Sequence, residues 1–121
     1  MKYLAVVIAT LSVVVLASAP AHAHGHLERA TPAVGSTVAQ APKEVVLVFS
    51  SKLEPAFSSI EVRSMTGAAM QAGKAAFDPG DGTQMRVPLK PLAPGTYKVI
   101  WRVLSVDTHR TQGDFTFKVG P

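Results

Sequence analysis

The sequence predicts an all-β protein, a small immunoglobulin-like Greek-key sandwich of about seven strands behind a cleaved export signal. Three observations predict it. Apolar and polar side chains alternate with period two in several short segments. Turn signals separate them, at Thr31-Pro32, Ala41-Pro42, Asp78-Pro79-Gly80-Asp81-Gly82 and Ala93-Pro94-Gly95. Leu92-Ala93-Pro94-Gly95-Thr96-Tyr97 matches the tyrosine corner of such sandwiches, in which a tyrosine opening a strand hydrogen-bonds back to the turn before it.

Residues 1–23 read as the signal. Lys2 supplies a positive start, Leu4 to Ala17 is almost unbroken apolar sequence, and Ala21 and Ala23 satisfy the A-x-A cleavage rule. A spanning helix needs about 20 apolar residues, more than this stretch offers, which argues against an uncleaved anchor. Cleavage after Ala21 would put Pro20 inside the recognition site. Removing the signal leaves one domain, 24–121, long enough for a single core, and places it in the periplasm.

Within that domain, Val45 to Phe49 is uniformly apolar, as expected of a central strand covered on both sides. Ile60 and Val62 alternate with Glu61 and Arg63, and Met85, Val87 and Leu89 alternate with Arg86 and Lys90. Tyr97, Val99, Trp101 and Val103 point one way with Lys98 and Arg102 opposite, Ile100 interrupting the polar face. Phe115, Phe117 and Val119 alternate with Thr116 and Lys118. The Gly- and Ala-rich piece from Gly67 to Ala76 reads as an irregular loop. There is no internal repeat and no convincing helical period outside the signal.

Composition removes several function classes. The 12 basic residues outnumber the 8 acidic ones, but they are scattered, with no basic run interleaved by aromatics, so nucleic acid is not an expected partner. The chain has no cysteine, which excludes disulfide staples and thiolate metal sites. Copper(I), which favours soft sulfur, finds only thioethers.

Cleavage after Ala23 makes His24 the first residue of the mature chain. Its free α-amino group and ring Nδ1 then close a six-membered chelate once deprotonated. A second cluster, Ser105-Val106-Asp107-Thr108-His109, lies between the Trp101 and Phe115 segments. In an extended backbone, residues two apart face the same way, so Asp107 and His109 are expected to present together. D-x-H alone is weak evidence, since turns favour such residues. Joined to His24 it gives three nitrogens and one oxygen, suited to tetragonal copper(II) and poor for calcium or magnesium. Zinc takes the same donors tetrahedrally, so geometry must choose between them. His26, at mature position three, offers a competing square-planar mode through the amine and two backbone amides, or serves as an auxiliary ligand.

The same residues resemble a known family. His24-Gly25-His26-Leu27, Ala30-Thr31-Pro32-Ala33, Gly35-Ser36, Ala41-Pro42-Lys43 and Phe49-Ser50 look like the opening of CopC-type periplasmic copper-resistance proteins. Leu92 to Tyr97, Trp101-Arg102-Val103, Ser105, Asp107, His109 and Gly113 continue the match over essentially the whole mature chain. The resemblance implies a Greek-key sandwich and a copper(II) site made by the N-terminal amine and imidazole of His24 with Asp107 and His109. It also implies a carrier, not an enzyme, that serves copper homeostasis or resistance; a monomer is expected. A CopD-like inner-membrane copper transporter is expected as a separate protein. Departures are visible. Where some members hold copper(I) in a methionine-dense loop with a histidine, this chain has Met65 and Met70 and no histidine. Ser51 stands where an acidic residue often follows F-S, and Arg110 replaces a common proline. Two other readings differ in class: a copper mono-oxygenase-like enzyme with an N-terminal histidine, and a metal-free interaction sandwich. Against the first, a carboxylate donor fills a position oxygen needs.

Overall fold

The structure is a computed structural model, and it describes residues 26–121. The expected export signal, 1–23, and His24 lie outside the described residues. Eight strands run in chain order: β1 (Leu27–Thr31), β2 (Thr37–Val38), β3 (Glu44–Phe49), β4 (Ser59–Ser64), β5 (Ala76–Phe77), β6 (Gln84–Pro88), β7 (Gly95–Leu104) and β8 (Arg110–Val119). They form two four-stranded sheets, ordered β1-β3-β6-β5 and β2-β8-β7-β4. The chain changes sheet repeatedly, as a Greek-key sandwich requires. Pairing is antiparallel except where β2 joins β8 in parallel.

The alternating segments become strands for the reason the pattern implies: each buries one face against the opposite sheet. Val45, Leu47 and Phe49 of β3, Met85 and Val87 of β6, Val99 of β7 and Phe117 of β8 are all at most 1% exposed. At about 25 cal/mol per Å² of buried apolar area, such layers dominate the favourable side of folding. The Tyr97 hydroxyl donates to the Ala93 carbonyl at 2.6 Å, so the tyrosine corner is present, and its ring stacks on Phe117 at 5.7 Å.

One expectation is corrected. β3 is central in its sheet, but Val46 and Val48 remain half-buried on its outer side, so it is not covered on both faces. The described residues make two layers, and none of their strands packs over that side of the sheet. Three strands carry no readable alternation. In β1 a bulge between Leu27 and Arg29 shifts the register, so that Leu27 and Ala30, three apart, both pack against the core. β2 and β5 have two residues each and exist because a longer neighbour offers them an edge.

The Gly67 to Ala76 segment is irregular until Ala76 opens β5, but it is pinned to both sheets. Met70 N donates to Val62 O of β4 at 2.7 Å, and Ala72 N donates to Pro88 O of β6 at 2.8 Å. Between the sheets the indole of Trp101 lies over Gly113, its cross-strand partner, and meets Phe49 edge-on at 5.2 Å.

Candidate metal centre

The β7-β8 hairpin pairs through Leu104 and Arg110, and residues 105–109 make its connection. The connection folds back on itself: Ser105 N donates to His109 O at 2.9 Å, and Thr108 N donates to Ser105 O at 2.9 Å. Thr108 adopts φ +72°, in the left-handed region. The extended backbone expected across Asp107-Thr108-His109 is therefore absent. A turn, and not the pleat of a strand, brings the two side chains to the same side.

Ser105 is fully buried, and its hydroxyl does the positioning. Oγ hydrogen-bonds Asp107 Oδ1 and lies 3.2 Å from the His109 carbonyl oxygen. The Asp107 carboxylate is thereby tied to the interior while its side chain stays 40% exposed. His109 Nδ1 stands 3.5 Å from Asp107 Oδ1, with the histidine side chain 56% exposed. The turn is also fastened from below. Val106 N donates to Lys52 O at 2.9 Å, Ser105 bridges Leu53, and Leu53 N donates to Gly82 O at 2.9 Å.

His26 begins the described chain just before β1. Its N–H donates to Ser50 Oγ at 2.9 Å, and its carbonyl accepts from Ser50 N at 2.8 Å. The segment from Ser50 to Leu53 thus carries both the start of β1 and the Asp107 turn. Among the described residues, no three His, Asp or Glu side chains gather closely enough to hold a metal, so His26 does not complete a three-ligand group with the pair. The three described methionines sit in three settings: Met65 exposed on the turn after β4, Met70 packed against the core, and Met85 inside it. Sequence reasoning singled out Asp107 and His109 but gave Ser105 no role. The signal was slight: serine and aspartate both favour turns, but no local pattern says that the hydroxyl is buried and meets the carboxylate.

A family model described as the CopC domain matches residues 27–120. This chain belongs to the CopC family. Among CopC relatives, Copper resistance protein C of Pseudomonas syringae pv. tomato is 43% identical over 110 residues, covering 86% of each chain. Protein YobA of Escherichia coli K12 is 39% identical over 98 residues, covering 80% of this chain and 79% of that one. The crystal structure of CopC from Methylosinus trichosporium OB3b aligns with a TM-score of 0.76 at 36% identity, over 81% of this chain and 95% of that one. That of PcoC from Escherichia coli, described as a methionine-rich copper resistance protein, aligns with a TM-score of 0.70 at 35% identity, over 80% and 99%. None of these names describes a catalyst. Among the described residues no helix is long and apolar enough to cross a membrane.

Proposed function

We propose that this protein is a periplasmic copper(II)-binding protein that sequesters or carries the ion for copper homeostasis and resistance, handing it to a separate inner-membrane transporter. Signal cleavage after Ala23 exposes the amine and ring Nδ1 of His24, and these two nitrogens join Asp107 and His109 around the ion. Copper is cargo here, and nothing in the site needs to turn over a substrate.

The observation that carries this reading is the Asp107-His109 pair, 3.5 Å apart on an exposed turn whose backbone is locked by buried Ser105. Two donors about 2 Å from one ion and at right angles stand about 3 Å apart. The pair therefore needs to close by roughly half an ångström or slightly more. His26 supports the second half of the site. It is fastened to Ser50, two residues before the Lys52 carbonyl that holds the turn, and His24 is two residues upstream, a reach of about 7 Å. Three nitrogens with one carboxylate favour copper(II) in a tetragonal arrangement.

Intact mass and a copper(II) titration on the exported protein test the proposal together. A mature chain beginning at His24 that binds one copper(II), with an EPR spectrum altered in His109→Ala and retained in His26→Ala, supports it. A mature end elsewhere, or a spectrum indifferent to His109, sinks it.

A further inference from the structure

The two sheets differ in charge. The strands of the β1-β3-β6-β5 sheet set Arg29 and Arg86 against Glu28 and Glu44. Those of the β2-β8-β7-β4 sheet carry Arg63, Lys98, Arg102, Arg110 and Lys118 against only Glu61 and Asp114. Six of the seven alternate with buried core residues, and Arg110 shares the parity of Asp114 and Lys118 along β8, so all lie on the outer side of the sheet. Glu61 is shared by two guanidiniums, at 3.3 Å from Arg63 and 3.7 Å from Arg102. Arg110 has no ion pair among the described residues.

At the end of this face nearest the Asp107 turn lies a pocket of about 350 Å³, lined by Phe57, Arg102, Arg110, Thr111 and Gln112. Phe57 is 59% exposed, and its exposure is built in. It closes the 3-10 turn Pro55–Phe57, which is anchored on β7 by Glu54 N donating to Leu104 O at 2.8 Å and Leu104 N donating to Ser58 Oγ at 3.1 Å. A rigidly held aromatic beside two arginines is the composition of an interface anchor, and guanidiniums recognise carboxylates in a bidentate manner.

We propose that this end of the β2-β8-β7-β4 face docks an acidic polypeptide, with a carboxylate received by Arg102 and Arg110 and an adjoining apolar side chain set against Phe57. A protein fits better than an anionic membrane. Glu61, Ile100 and Asp114 form one cross-strand row in the middle of the face, so a uniform sheet of negative headgroups meets repulsion there. A partner with its own charge pattern can register with it. Arg110 directly follows His109, so a docked partner lies beside the Asp107 turn. The proposal rests on charge and shape and stands whether or not copper binds there.

Two-dimensional NMR of the exported protein, titrated with poly-L-glutamate and separately with phosphatidylglycerol vesicles, tests it. Poly-L-glutamate is expected to shift the signals of Arg102, Arg110 and Gln112, less so as salt is raised. Arg110→Glu weakens that binding about tenfold, whereas Arg86→Glu, an equal charge change on the other sheet, weakens it less than about twofold. Both arginines are exposed, so matched melting curves will show that the fold is intact. Equal weakening by the two reversals, shifts spread over both sheets, or binding to vesicles without binding to poly-L-glutamate would each overturn the proposal.

Discussion

The buried hydroxyl of Ser105 hydrogen-bonds the exposed carboxylate of Asp107, joining the interior of the sandwich to a turn that offers a metal two donors. The same oxygen lies against the His109 carbonyl, so one side chain constrains both candidate ligands. Ser105→Ala leaves Asp107 to wander and removes a buried partner. It is expected to lower stability by about 1–3 kcal/mol and copper(II) affinity about 10- to 100-fold, read by denaturant unfolding and by competition titration. Unchanged affinity would show that the turn needs no internal anchor.

The proposed N-terminal chelate makes a sharper demand. His24→Ala, or a single residue left in front of His24, is expected to abolish tight copper(II) binding, while His22→Ala, lying in the segment that the proposed cleavage removes, is expected to leave the mature site unaffected. A tagged protein that titrates like the processed one contradicts the proposed site.

Acid should loosen copper. An α-amino group is mostly protonated at neutral pH, so the proposed amine ligand must release a proton to bind metal. Affinity therefore rises with pH through neutrality and falls as the medium acidifies. Calorimetry in buffers of different ionisation enthalpy counts the protons released, and a flat profile between about pH 6 and 8 would exclude the amine as a ligand.

A β-carbon at position 113 would lie 2.5 Å from the indole of Trp101, so the glycine is required by close approach across the strands. Gly113→Ala should destabilise by about 1–3 kcal/mol through overpacking. Because the clash belongs to the pair, the Gly113→Ala, Trp101→Leu double variant should lose less than the sum of the two single ones, measured by thermal unfolding. Strict additivity would mean that the ring moves aside without strain.

Tyr97→Phe removes the hydroxyl that holds the Ala93 carbonyl at 2.6 Å. The expected loss is about 1 kcal/mol with copper binding unchanged, since the corner lies at the far end of β7 from the Asp107 turn.

Period-two alternation announced the strands that bury one face, and the corner motif announced Tyr97, because both depend on neighbours a few residues apart in the chain. β1 escaped notice because its bulge breaks that period, and β2 and β5 because two residues carry no pattern. Asp107 and His109 were legible as residue types, but the reason for their juxtaposition was not. Extended geometry predicted it, and a turn with Thr108 at φ +72° produced it.

Sequence by itself determined the sandwich, the residues that fill its core and the chemical character of the donors, since hydrophobic period and side-chain chemistry are properties of the chain alone. Tertiary structure decided which of those donors meet. Asp107 and His109 stand together on a rigid turn because Ser105 is buried beneath them and Lys52 and Leu53, about fifty positions earlier, grip its backbone. It also decided that the unbalanced positive charge falls on one sheet, because which strands share a sheet follows from long-range hydrogen bonding that no local window contains.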